Sequence, residues 1–400
     1  MVRRPKRVLL LGGSRYYLSS IRAAKALGLE VVLVDRNPGA EGFQRADHSE
    51  VVDIADPDGV LKVARRYRID GILPLNDFGV QTAAFVAHSL GLVGLDAAVA
   101  ARATSKYLMR KRWQDCGVPS AAWRVATTLD EAVQAVRDLD CWPLVVKPAD
   151  SRGGGSRGVS VIETLEQVPD AVLFAQSWYA DKTILIEEFL DGLEHSVETI
   201  TFDGVTHVLA VCDNVKTPRP YRVNTAMIYP TILGDARLER VHDVVRRAVQ
   251  ALGISSGAAH VELCSTASGP RLFELGARCG GGGIPDPIVP FVSGVKMLEA
   301  ALRIAIGEAP GDLTPRREQG CVYRFLLPPP GRLRRVVGVE EVSTWPNVLD
   351  CAVTVQAGAS INAVRVGADR AGFIIAAGDT REAAQVLAED AVRCIHFEYA

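Results

Sequence analysis

The order of the first segments limits most strongly what this chain can fold into. Residues 7 to 95 alternate short apolar runs with amphipathic stretches: Arg7 to Leu11, a helical pattern around Ser19 to Leu27, Val31 to Asp35, a second helical pattern near Gly59 to Tyr67, and Gly71 to Pro74. Helices between successive strands return the chain to the same end of the sheet, so the strands run parallel and both faces are covered. The pattern predicts a βαβαβ unit that closes near residue 97. Its first turn, Gly12-Gly13-Ser14, and the acid that ends its second strand, Asp35, have part of a dinucleotide fingerprint. A full G-x-G-x-x-G is missing, because Tyr16 and Tyr17 occupy positions where backbone must approach pyrophosphate. A fold-level turn, or part of a second-substrate site, suits these residues better than a nucleotide.

At 400 residues the chain exceeds one compact core and predicts two or three packed modules. A formal net charge of −2 with 48% apolar residues describes an ordinary globular protein, with no polyanion such as nucleic acid implied as partner. Its apolar runs fall short of the roughly 20 residues a membrane helix needs. The basic start is broken by Gly12-Gly13-Ser14-Arg15 before a signal sequence's apolar region could form, so a cytoplasmic setting is expected. Eight scattered cysteines show no metal or redox spacing.

After a helical stretch from Ser105 to Cys116, short β runs alternate with helices to about Val172. Thr183 to Gly283 is mainly β, with one helix near Leu238 to Leu252, and the last ninety residues carry strands at Cys321 to Leu327, Cys351 to Val355 and Gly372 to Ala376 before a final helix. The fold class is therefore mixed: α/β at the start, α+β beyond.

The chemistry sits in three places. Leu144-Val145-Val146-Lys147-Pro148 is an apolar strand with a lysine at its mouth, followed directly by Ser151-Arg152-Gly153-Gly154-Gly155-Ser156-Arg157-Gly158-Val159. Glycines among cations and hydroxyls form a flap whose backbone N–H groups can wrap phosphate oxygens. No G-K-[ST] follows, so this is not a Walker loop. Next, Thr183 to Leu190 is a buried strand that turns acidic at Glu187 and Glu188. Its backbone can offer groups to an adenine edge, with Phe189 and Leu190 as an apolar wall and Glu194 within reach of ribose.

The third place is a hairpin. Val261-Glu262-Leu263 and Leu272-Phe273-Glu274-Leu275 each carry one carboxylate, and a turn symmetric about Ser268 sets Glu262 opposite Glu274. Facing carboxylates destabilise a sheet unless a cation lies between them, and hard oxygens select magnesium or manganese. His260 shares their face as a hydrogen-bonding neighbour, and Arg278 follows the second strand, able to put a planar guanidinium on a transferring phosphoryl group. Lys216, Arg219, Arg222 and Asn224 form a basic segment suited to a substrate, with Lys216 or Arg222 as carboxylate anchor.

Taken in order, Lys106, Lys147, the flap, Glu187 to Leu190, Glu194 and the series Glu262, Glu274, Arg278 resemble the ATP-grasp superfamily over nearly the whole chain. The resemblance implies a Rossmann-like N-terminal domain over 1–97, an ATP-grasp domain over 98–308 with its lid near 120–190, and a C-terminal α+β domain over 309–400. It implies that Lys106, Lys147, Ser151, Gly153, Gly154, Gly155, Ser156 and Gly158 meet ATP phosphates. Glu187, Glu188, Phe189 and Leu190 would then take adenine, Glu194 ribose, and Glu262 and Glu274 magnesium, while Lys147 and Arg278 act in catalysis. One position departs: the family pattern E-x-N-x-R reads Glu274-Leu275-Gly276-Ala277-Arg278 here. The C-terminal part, including Gly331-Arg332-Leu333 and Asp369 to Thr380, resembles the L-amino-acid ligases, implying a carboxylate-amine ligase on small molecules and a homodimer. A carboxylase, a purine-pathway ligase and a noncatalytic ATP-binding module are the alternatives.

Overall fold

The computed structural model describes residues 4–152 and 154–400, so the flap residue Gly153 lies outside the described residues. Strands β1 (Arg7–Leu11), β2 (Glu30–Asp35), β3 (His48–Val51) and β4 (Gly71–Pro74) form a parallel sheet in the order β3-β2-β1-β4. Alternation along β1 divides the core between its faces. Val8 and Leu10 pack with Ile21 and Ala24 on one side, and Leu9 and Leu11 with Val60, Ala64 and Val86 on the other. Strand β3 was not foreseen, because His48-Ser49-Glu50-Val51 is a short polar edge.

The lid is an antiparallel sheet, β5 (Trp123–Ala126), β6 (Leu144–Pro148), β7 (Ser160–Ile162) and β8 (Ile184–Glu188), in the order β5-β8-β6-β7. The centre is one eight-stranded antiparallel sheet. From the amino-terminal side it takes β9 (Leu193–Phe202), β10 (Val205–Lys216), β11 (Asn224–Tyr229), β12 (Gly257–Thr266) and β13 (Gly269–Gly276). The last ninety residues carry β14 (Gly320–Leu326), β15 (Gly331–Val337), β16 (Val348–Val353), β17 (Ser360–Ile361), β18 (Gly372–Gly378) and β19 (His396–Tyr399), of which β14, β16 and β18 join the central sheet. The central order is β13-β12-β9-β10-β11-β14-β18-β16, and β17-β15-β19 form a small separate sheet. The expected boundary near 308 thus crosses a continuous sheet, since β14 pairs with β11.

Helix Asp235–Leu252 covers the central sheet. Its Val241, Val244, Val245, Ala248 and Leu252 recur at helical spacing and pack on Val197, Val261 and Leu263. Each fully buried valine or leucine contributes about 1.5–3 kcal/mol. This packing holds rigid the strands from which the acidic residues project. No helix among the described residues is long and apolar enough to cross a membrane.

Candidate active site

Strands β12 and β13 bring Glu262 opposite Glu274, by a different count from the expected one. The turn is Ala267-Ser268, with Thr266 paired to Gly269, and a bulge at Phe273 adds one residue before the glutamates. His260 and Gly276 pair two residues further along, on the same face, and Glu198 faces His260 from β9. Both hairpin glutamates line a cavity of about 1160 Å³ bounded by the N-terminal module, the lid, the central sheet and the C-terminal strands.

Cations compensate these carboxylates. Lys106, at the start of helix Lys106–Asp115, lies 3.0 Å from Glu274. His260 bonds Glu198 through Nδ1 and lies 3.4 Å from Glu262 through Nε2. Burial opposes charge on His260, but Glu198 and Glu262 outweigh it and raise its pKa to about 10. Burial likewise works against the Glu262 carboxylate, yet His260, Lys216 and Arg278 hold it well below the usual range.

A second cluster lies where β6 meets β8. The Glu187 carboxylate is buried between Lys147 at 2.5 Å and Arg110 at 2.8 Å. Two cations share one anion, and burial, aided by Arg110, lowers the Lys147 pKa to about 8 even though Glu187 opposes the shift. Burial raises the Glu187 pKa, but Arg110 and Lys147 overcome it and keep the carboxylate low. Glu188 turns the other way, toward Arg271 at 3.0 Å, and accepts from the Ala122 N–H. Among the residues expected to meet adenine, the Glu187 and Glu188 side chains are therefore engaged by protein cations. The N–H groups of Glu188 and Phe189 bond the Ala122 and Pro143 carbonyls.

Glu194 bridges Lys216 at 3.2 Å and Arg222 at 2.8 Å. The two expected carboxylate anchors are thus already paired, which removes the reason for choosing either of them. Phe189 lies beneath Arg219 and Arg222, at 4.4 and 5.7 Å from its ring centroid. Arg219 stands outside the cavity, paired to Glu163 at 2.5 Å, whereas Asn224 lines it with a buried, unpartnered Oδ1.

Of the flap, Arg152, Gly154, Gly155, Ser156, Arg157 and Val159 line the cavity. Gly155 has φ +68 and its carbonyl accepts from the Gly367 N–H at 2.7 Å, so any side chain there strains the backbone at a docking point. Ser156 Oγ donates to the Arg222 carbonyl at 2.9 Å. Ser151, at the start of the flap, is buried and Gly158 lies against Pro148, both outside the cavity lining.

Arg278 pairs with Asp77, from the loop after β4, at 2.6 Å, and Asp77 and Tyr17 outweigh burial to raise its pKa further. This contact accounts for Gly276. A Cβ at that position would lie 2.8 Å from Asp77 Oδ1 and 3.2 Å from the Arg278 guanidinium carbon. Near the cavity's N-terminal end, Asp35 accepts from the Gly13 N–H at 2.7 Å, so the first turn is closed by its own acid.

Asp77, Arg110 and Glu198 escaped the sequence reading. Arg110 had a usable signal: Lys106, Met109, Arg110 and Trp113 form the buried face of one helix, and cations on such a face require anions. Asp77 follows a parallel strand's carboxyl end, where ligands collect in open α/β sheets.

A lid sheet and a large antiparallel sheet closing on lysines and paired acids is the ATP-grasp arrangement, with a parallel-sheet module ahead of it. Residues 21–94 match the ATP-grasp N-terminal domain family and residues 141–286 the ATP-grasp domain family. Residues 324–400 match L-amino acid ligase C-terminal domain 2. The chain belongs to the ATP-grasp superfamily of ligases. It is similar to a formate-dependent phosphoribosylglycinamide formyltransferase of Synechococcus, 32% identical over 49% of this chain and 50% of that protein. It is also similar to dapdiamide A synthase of Enterobacter agglomerans, 30% identical over 58% of this chain and 56% of that one. The chain thus spans about half the length of these two relatives. An L-amino acid ligase from Bacillus licheniformis shares the fold across the whole of both chains, with TM-score 0.86 at 23% identity.

Proposed function

We propose that the protein is an ADP-forming carboxylate-amine ligase, joining an amino acid or related small acid to an amine through an acyl phosphate. The observation that carries this reading is the register-paired Glu262 and Glu274 facing the flap across one cavity, with a C-terminal part matching the L-amino acid ligases. The donor set fits magnesium, which is commonly held by one or two carboxylates, with phosphates and waters completing its shell. Glu262 and Glu274 would hold the ion, which supplies charge neutralisation on the polyphosphate.

The reaction has two steps. A substrate carboxylate oxygen attacks the γ-phosphorus of ATP, the bond to the β-phosphate oxygen breaks, and ADP leaves. The amine then attacks the acyl carbon, phosphate leaves, and a proton is released. Lys147 and Lys106 orient the phosphates, Arg278 stabilises the transferring group and the tetrahedral intermediate, and the flap keeps water from the acyl phosphate. Glu187 supports Lys147 from behind, and Glu194 with Leu190 and Phe189 receives the nucleoside. The same reading carries a cytoplasmic setting and a homodimer.

The test is a phosphate-release screen over pairs of small carboxylates and amines, with products weighed by mass spectrometry. ADP formation that needs both substrates and yields an amide supports the proposal. Turnover driven by formate with phosphoribosylglycinamide, the chemistry suggested by the formyltransferase likeness, or by bicarbonate would replace it, and ATP binding without turnover would leave only a binding module.

Gly276 provides a sharper check on the site. Gly276→Asn, which restores the usual family residue, should push Asp77 off Arg278 and lower kcat about 10–100-fold, because misplacing a catalytic group costs that much. Steady-state phosphate release measures it; unchanged or increased kcat would show that Asp77 has no part in positioning Arg278.

A further inference from the structure

The cations of the cavity are mostly paired. Lys106, Lys147, Lys216, Arg222 and Arg278 each have a carboxylate within 3.2 Å. Arg370 differs. It lines the same cavity, yet among the described residues no carboxylate lies within 4.0 Å of its guanidinium, and its buried Nε has no hydrogen-bond partner. Burial lowers its pKa to about 10, which leaves it cationic at neutral pH. Holding a largely desolvated guanidinium with no carboxylate in contact is costly, and a nearby ring and the more distant Glu262 carboxylate recover only part of that cost.

The surroundings define what would relieve it. The guanidinium lies over Phe325, 3.7 Å from the ring centroid. Beyond Phe325 the rings of Tyr323, Phe373 and Tyr16 follow in contact, with successive centroids 4.5, 5.4 and 6.2 Å apart. Arg370 follows the turn whose Gly367 N–H docks on the flap carbonyl of Gly155, so it sits on the C-terminal side of the cavity, beside the flap. The phosphate-directed lysines Lys106 and Lys147 come from the helix after the N-terminal module and from the lid. An unpaired planar fork next to an apolar aromatic wall matches a carboxylate attached to an apolar group better than it matches a polyphosphate.

We propose that Arg370 anchors the free α-carboxylate of an amino acid that enters as the amine substrate, with its side chain against Tyr16, Tyr323 and Phe373. The proposal rests on the amide-ligase reading and deepens it, because it names the class of amine. Such an anchor holds the acceptor's carboxylate on Arg370, directs its amino group toward the acyl phosphate, and leaves the product with a free carboxylate.

The test compares acceptors with and without that carboxylate. With the donor fixed, kcat/KM is measured for L-leucine and L-phenylalanine against leucinamide and phenylalaninamide. The wild type should favour the acids by about 100-fold, since a buried polar anchor left unpaired discriminates strongly. Arg370→Gln should collapse that ratio toward one by losing activity on the acids alone, and Arg370→Lys, which keeps charge but loses the fork, should fall between. An unchanged ATP-induced thermal shift would show that the variants fold and still bind nucleotide. Equal losses on acids and amides, or an unaltered ratio, would overturn the anchor. If no amide forms with any acceptor, the ligase reading itself fails, and calorimetric binding of phenylalanine and phenylalaninamide with a nonhydrolysable ATP analogue decides the anchor separately. A preference for the acid that Arg370→Gln abolishes supports it; equal binding of acid and amide rejects it.

Discussion

Glu274→Gln is expected to abolish most ATP turnover, lowering kcat by about 100–1000-fold, the range seen when one preorganised charge-stabilising group is removed. The substitution keeps the shape of the side chain, so the hairpin should survive. It removes one of two facing carboxylates and leaves Lys106 without its partner 3.0 Å away. Two readouts separate these effects. Phosphate release reports the chemistry, and a magnesium titration at saturating ATP should show a higher metal requirement for the variant than for the wild type. Loss of turnover with an unaltered magnesium requirement would move the metal away from Glu274, and activity within about threefold of wild type would remove the residue from the site altogether.

The largest effect on stability should come from Glu187→Gln. This carboxylate is 2% exposed and compensates both Lys147 and Arg110, so its loss leaves two cations in the interior. Breaking a buried pair in this way costs about 3–5 kcal/mol, read as a shift in urea unfolding of the nucleotide-free protein. The pH dependence has a definite sign. Because the folded protein holds the Glu187 pKa below its ordinary value of 4.5, its contribution is fully present above that pH. It is lost as pH falls toward the folded value. The stability gap between wild type and variant should therefore narrow on acidification below about pH 4.5, and a gap independent of pH would show that packing, not charge, holds the cluster.

The parts of this molecule legible in its sequence are those set by local pattern. Continuous apolar runs in β1 and β2 and the helical spacing of Val241, Val244, Val245 and Ala248 identify their elements without tertiary information. The short polar strand β3 has no such pattern and is a strand only because β2 lies beside it. Facing Glu262 and Glu274 were reached through two errors of one residue that cancel: the turn is tighter than assumed, and the Phe273 bulge restores the register. Pairings between distant segments were not legible. Asp77 and Arg278 are 201 residues apart, and nothing local to either names the other. Lys216 and Arg222 read as free cations in the sequence, whereas both meet Glu194 of β9, Lys216 from the end of β10 and Arg222 from the connection to β11. Nothing local marks Arg370 in the sequence, since an unpaired charge becomes visible only when its neighbours are known.

The unbroken ladder from β13 to β16 also bears on how such enzymes can be recombined. If the aromatic wall and Arg370 choose the acceptor, the obvious way to borrow a new preference is to transplant the last ninety residues from a relative. That segment is not a detachable cassette, because β14 is hydrogen-bonded to β11 on one side and to β18 on the other. A graft beginning near residue 309 would force a foreign strand to pair with native β11 from Ala226 to Tyr229. Point changes at Tyr323 in β14 and Phe373 in β18, with the loop carrying Gly367 and Arg370 exchanged as needed, keep the ladder intact, and they are the more direct route to an altered acceptor.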